Sequence, residues 1–213
     1  MFISFDGIDG TGKTTQIELL SQWLRERGHQ VVTCRDPGST PIGEAIRELL
    51  LGQRGQGMSM QTEMLLYMAA RAQLVAEVIA PALAAGKVVV SDRYLLANVV
   101  YQGHAGGLDP QAIWQVGRIA TQGIEPDLTL LLDMPPELAA ARMQRDLDRI
   151  ETRGDGFRAR LRQGYLHEAA GRPERIVRID AARPMEEVQA EIRRIAERHL
   201  ASTASAASRG QLE

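Results

Sequence analysis

Near the amino terminus, Gly7-Ile8-Asp9-Gly10-Thr11-Gly12-Lys13-Thr14 fits the pattern G-x-x-x-x-G-K-[ST]. Glycines at those positions let the backbone curl until successive N–H groups point at one anion. A helix opening at the lysine adds the partial positive charge of its N-terminus. In such a cradle Lys13 neutralises β and γ oxygens of a nucleotide and Thr14 holds Mg²⁺. A second pair lies further along, in Asp92-Arg93: a carboxylate suited to a hard cation directly or through water, and a guanidinium that can clamp a phosphate bidentately. The chemistry these residues suit is nucleotide hydrolysis or phosphoryl transfer. A phosphate loop alone does not choose among switches, motors and kinases.

Positioning these groups requires a strand before the loop and a helix after it, and the sequence offers both, in Phe2 to Asp6 and Lys13 to Arg27. Apolar runs of strand length recur at Val31 to Cys34, Val88 to Val90, Leu128 to Leu132 and Ile176 to Ile179. Between them fall segments with helical spacing: Pro41 to Leu51, Met60 to Ala85, Pro110 to Gln122, Pro136 to Arg145, Glu151 to Ala170 and Pro184 to Leu200. Strands that alternate with helices predict a parallel sheet covered on both faces, because parallel strands need crossovers. The expected fold is a three-layer α/β phosphate-loop fold with a five-stranded parallel sheet, in one domain over residues 1–200. Asp92 and Arg93 then leave the carboxyl edge of the sheet, where open α/β folds take their ligands. Arg142, Arg145, Arg149 and Arg153 crowd a segment with Gly154 and Gly156, which suits a lid over residues 142–156 that closes on a nucleotide. The interleaved Asp146, Asp148 and Glu151 also fit a solvated face of mixed charge.

Of the 213 residues 44% are apolar and 24% charged, and the net charge of −2 gives no case for a nucleic-acid partner or an acidic membrane surface. The single cysteine, Cys34, rules out an internal disulfide framework and suits a reducing compartment. The first strand starts almost at Met1, leaving no room for a signal peptide, and no run approaches 18 consecutive apolar residues, so the expectation is a cytoplasmic protein without a membrane partner. The Ala/Ser-rich stretch 201–213 is expected to be a disordered tail.

Several separated motifs together resemble the thymidylate kinases of bacterial type, from Phe2 to about Leu200. They are the phosphate loop with Asp9 inside it, Arg35-Asp36-Pro37-Gly38-Ser39-Thr40, Tyr67-Met68-Ala69-Ala70-Arg71, Asp92-Arg93-Tyr94 followed by Tyr101-Gln102-Gly103, and Asp148-Arg149-Ile150-Glu151 with Tyr165 downstream. The resemblance implies transfer of the γ-phosphate of ATP to dTMP, Mg²⁺ as cofactor and a homodimer. It puts ATP on residues 7–14 with Thr15 and Arg142, Mg²⁺ on Thr14 and Asp92, and dTMP on Asp9, Arg35, Pro37, Tyr67, Arg71, Arg93, Asn98, Tyr101, Gln102 and Tyr165. Within that set it implies that Tyr67 stacks on thymine, Arg71 reaches O4, Asn98 meets the N3 edge and Tyr101 crowds out a ribose hydroxyl. Lys13, Asp9 and Arg93 are the implied catalytic groups, joined by Arg145 or Arg149, because Gly10 stands where other members carry a loop arginine.

Some positions depart from the family. Asp36 replaces the usual Glu, so it is expected to reach its partner through water. Asn98 stands where Ser or Thr is commoner. His104-Ala105-Gly106-Gly107 reads as a flexible loop with His104 exposed. A kinase for a different small acceptor, and a nucleotide-driven switch, stay open as alternatives. The chain has no Asn/Thr-Lys-x-Asp guanine-reading motif to favour the second.

Overall fold

The computed structural model describes residues 1–143, 149–150 and 153–209. Five strands, β1 (Phe2–Asp6), β2 (Val31–Arg35), β3 (Val88–Asp92), β4 (Leu128–Asp133) and β5 (Ile176–Asp180), form one parallel sheet in the order β2-β3-β1-β4-β5. Each expected apolar run is a strand. The three central strands read as near-continuous apolar runs because helices cover both of their faces; every residue of β1 and β4 is buried.

The helices are α1 (Lys13–Glu26), α2 (Pro41–Leu51), α3 (Met60–Leu74), α4 (Ala80–Ala84), α5 (Leu95–Asn98), α6 (Pro110–Ala120), α7 (Pro136–Arg142), α8 (Asp155–Gly171) and α9 (Met185–Arg209). On one side of the sheet Ile3, Phe5, Val88 and Val90 pack with Ile17, Leu20 and Leu24 of α1 and with Val188, Ile192 and Ile195 of α9. On the other, Phe2 and Val89 pack with Met68 and Leu74 of α3 and with Val75 and Ile79 of the π-helical turn that joins α3 to α4. Each such side chain contributes roughly 1.5–3 kcal/mol on burial. By length and a mean hydropathy of 1.3 the continuous rod Met60–Ala84 could pass for a membrane span. Yet it carries Glu63 and Arg71 fully buried in ion pairs.

Three expectations need correction. Residues 95–104, left without an element by sequence, form α5 and a π-helical extension, Val99–His104. Buried almost all round, this helix has no polar face and hence no amphipathic period to read. His104-Ala105-Gly106-Gly107 is packed rather than loose. His104 is 21% exposed with Nε2 2.7 Å from Glu168, and a Cβ on Gly106 would meet Met60 Sδ at 2.7 Å. Finally α9 runs past Leu200 to Arg209, through part of the stretch expected to be a tail; alanine is the strongest helix former, so the composition that lacks a core face still propagates a helix. Of the lid, Arg145, Asp148 and Glu151 lie outside the described residues.

Candidate active site

Because strand order reverses around β1, a crevice opens beyond the carboxyl ends of β1, β3 and β2. The chain leaves β1 through Gly7, Gly10 and Gly12 at φ +136°, +88° and +88°. A Cβ on Gly7 would overlap the carbonyl of Leu132, and one on Gly10 that of Ala139, so close approach as well as backbone angle demands glycine at both. The N-cap of α1 is Gly12, which offers no side-chain hydrogen bond, and the first turn holds no acid. Helices α2, α3 and α6, by contrast, are capped by Thr40, Ser59 and Asp109. The first N–H groups of α1 therefore remain available to an anion.

Lys13 is 7% exposed and its Nζ donates to the carbonyls of Gly7 at 3.1 Å and Ile8 at 2.9 Å. Burial and the charge of Arg93 push its pKa down against the nearby carboxylates. Asp9 gathers three partners: Arg93 Nη2 at 2.6 Å, the Tyr101 hydroxyl at 3.1 Å and Lys13 Nζ at 3.6 Å. Burial pushes the Asp9 pKa up, but Arg93, Lys13 and the two hydrogen bonds outweigh it and hold the carboxyl well below the usual range. Arg93 sits at a φ of +66°, a left-handed conformation unusual for a non-glycine residue. Its Nη1 donates to the Gly7 carbonyl and the Tyr165 hydroxyl, both at 3.1 Å. Asp6, beneath them, is pushed up to about 7 by burial.

Two cavities meet at this cluster. The larger, an open cleft of about 1170 Å³, runs along the loop and α1 past Thr14, Thr15, Arg35, Asp92 and Arg142. The smaller, about 100 Å³, lies among Pro37, Tyr67, Arg71, Asn98, Tyr101 and Gln102. Asp9, Asp36, Arg47 and Arg93 border both. Asp92 Oδ1 is buried without a hydrogen-bond partner in the cleft that Thr14 also lines. An unsatisfied carboxylate oxygen in a cleft that a threonine also lines fits the oxygen-only donor set of Mg²⁺.

The thymidylate kinase family model matches residues 5–192. The chain belongs to the thymidylate kinase family. It is 47% identical to the thymidylate kinase of Symbiobacterium thermophilum over 92% of each chain, and 44% identical to that of Geotalea uraniireducens over 90% of this chain and 93% of the relative. The crystal structure of thymidylate kinase from Ehrlichia chaffeensis superposes with a TM-score of 0.76 at 31% identity, over 92% of this chain and 98% of that one. The enzyme is thus a dTMP kinase, which transfers the γ-phosphate of ATP to dTMP and so serves dTTP biosynthesis.

In this thymidylate kinase most residues singled out by sequence line the two cavities. Tyr165 does not line either one; it is 2% exposed and braces Arg93 from below. Arg149 places Nε on the Leu50 carbonyl at 2.8 Å and Nη2 on Glu63. Asp36 needs no water, since Arg71 Nε meets its Oδ2 directly at 2.5 Å, both side chains almost fully buried. Sequence reasoning missed two residues. Arg47, with Nη1 on the Pro37 carbonyl at 3.1 Å, borders both cavities, and its position on α2, soon after the Arg35-to-Thr40 segment, was the available signal. Glu63 is fully buried beside Gln102, and as an acid in the first turn of α3 it resembles ordinary dipole compensation.

Proposed function

We propose that the cleft holds ATP and the smaller cavity dTMP, with the transferred phosphoryl group passing over the Asp9–Arg93–Tyr101 cluster. The observation that carries this reading is that Asp9 and Arg93 border both cavities, so one cation and one carboxylate face donor and acceptor together. The ATP phosphates lie on residues 7–14 at the uncapped end of α1, with Lys13 on the β and γ oxygens and Thr15 and Arg142 along the cleft. Thr14 and Asp92 hold Mg²⁺, which offsets phosphate charge when bound. The dTMP phosphate is held by Arg93, Arg35 and Arg47, and the base lies between Tyr67 and the Arg71–Asn98 edge, above Pro37. Tyr101 takes the space a ribose hydroxyl would need. An acceptor phosphate oxygen, already anionic, attacks the γ-phosphorus as its bond to the β-phosphate oxygen breaks, so no protein base is required. Residues 142–156 act as the lid, and Arg145 or Arg149 supplies a further cation at the transition state. For Arg149 this requires leaving Glu63.

The enzyme works as a cytoplasmic homodimer. Leu65 of α3 and Ile119 of α6, 54% and 81% exposed on helices that pack together, are apolar surface for a partner to cover. Cys34, buried and with its thiol pushed up to about 11 by burial, suits a reducing compartment.

Arg71→Lys tests the acceptor assignment. Lysine keeps the charge opposite Asp36 but loses the planar fork that serves Asp36, Asn98 and the cavity at once. The expected result is a kcat/KM for dTMP lowered about 5- to 150-fold, a loss of about 1–3 kcal/mol, with the KM for ATP unchanged. Wild-type dTMP kinetics in this variant would remove the base from this cavity.

A further inference from the structure

A chain of buried side chains leads from the smaller cavity to Glu63. Arg71 Nη1 donates to Asn98 Oδ1 at 2.9 Å, Asn98 Nδ2 donates to Gln102 Oε1 at 2.6 Å, and Gln102 Nε2 donates to Glu63 Oε1 at 2.9 Å. Asn98 is 2% exposed, and Gln102 and Glu63 are fully buried. The other Glu63 oxygen takes Nη2 of Arg149 and, at 2.6 Å, Nη2 of Arg153. Each amide has a donor end and an acceptor end, so it can sit in either of two orientations. A carboxylate has no such freedom, because it only accepts. Two guanidinium groups and the Gln102 amide hold the Glu63 carboxyl below the usual range despite its burial, so it stays ionised.

We propose that Glu63 is a positioning residue for base selection, its carboxylate fixing through Gln102 which end of the Asn98 amide faces Arg71 and the cavity. Glu63 must receive a donor, which turns Gln102 Nε2 toward it and Gln102 Oε1 toward Asn98. Asn98 then presents Nδ2 to Gln102 and Oδ1 to Arg71. The cavity edge therefore offers an acceptor, the second lone pair of Asn98 Oδ1, beside the Arg71 donors. A thymine edge matches it with the N3–H donor and O4 acceptor. A cytosine edge, with an N3 acceptor and an N4 amino donor, has the opposite polarity. The proposal rests on the acceptor site described above and extends it to a residue that touches neither substrate.

Glu63→Gln tests it with a directional expectation. Arg149 and Arg153 draw the new amide oxygen to themselves, which leaves its NH₂ facing Gln102. Gln102 must then turn, and because Arg71 is donor-only a donor now meets a donor either at Gln102–Asn98 or at Asn98–Arg71, so the Asn98 oxygen is no longer held firmly as the acceptor that faces the base. In the full-length enzyme the ratio of kcat/KM for dTMP to that for dCMP is expected to fall at least tenfold, mainly through a higher KM for dTMP, while the KM for ATP stays the same. Gln102→Met, which cuts the chain but leaves Glu63 with its arginines, is expected to shrink the same ratio and covers the case that Glu63→Gln does not fold. A wild-type ratio in the folded variants, with Arg71→Lys impaired, overturns the role of Glu63 alone. Wild-type dTMP kinetics in Arg71→Lys overturn the acceptor site and this inference with it.

Discussion

Replacing Lys13 by alanine is expected to lower dTMP-dependent ADP formation by at least ~10³-fold, about 4 kcal/mol of transition-state stabilisation, while the protein still folds. The amine is the cation closest to the phosphate loop's own backbone, bonded to the Gly7 and Ile8 carbonyls. A loose phosphoryl-transfer transition state rewards such a fixed charge more than any covalent chemistry the protein could add. Folding should tolerate the loss because Asp9 keeps Arg93 and the Tyr101 hydroxyl as partners. Steady-state ADP release with and without dTMP, alongside a thermal melt, gives both readouts. Activity within tenfold of wild type would sink the assignment of this loop to the transferred phosphate.

The second large effect is expected at Arg93. Its guanidinium joins the Gly7 carbonyl, Asp9 and Tyr165, and borders both cavities, so it serves donor loop and acceptor phosphate at once. Arg93→Ala should therefore lower kcat by roughly 10³-fold, and it should also raise the KM for dTMP. Stability should fall as well. Asp9 loses its shortest ion pair, and the carboxyls of Asp6 and Asp9 lose the charge that most counters their burial. Arg93→Lys restores the charge without the fork, so it should recover the melting temperature better than the turnover. If Arg93→Ala turns over normally, the cluster is a structural brace and the reacting groups lie elsewhere.

The strands were legible because they are short, mostly apolar runs set between helical segments: Phe2 to Asp6 and Leu128 to Leu132 are broken only by small or terminal polar residues, Ser4, Asp6 and Thr129, all of them buried. The phosphate loop was legible because its chemistry is carried by consecutive residues. What sequence could not reveal depends on partners far apart in the chain. Glu63 meets Gln102 across 39 positions and Arg153 across 90. Tyr165 supports Arg93 across 72 positions. The helix over residues 95–104 failed differently: with Leu95 to Gly103 all buried, it offers no contrast between faces for a periodicity argument to detect.

The sheet order also governs the birth of the molecule. β1 is synthesised first yet lies mid-sheet, between β3 and β4, and the Phe2 amide is satisfied by Asp127, 125 positions later. Its neighbour β2 is no help, because β2 pairs with β3 alone. An emerging chain must therefore carry an apolar, unpaired β1 until β3 is made, and half-paired until β4 follows. Long-range parallel pairing is slow to close and exposes sticky edges meanwhile. The sheet can therefore close only after β5, which pairs with β4 at its far edge, has been added.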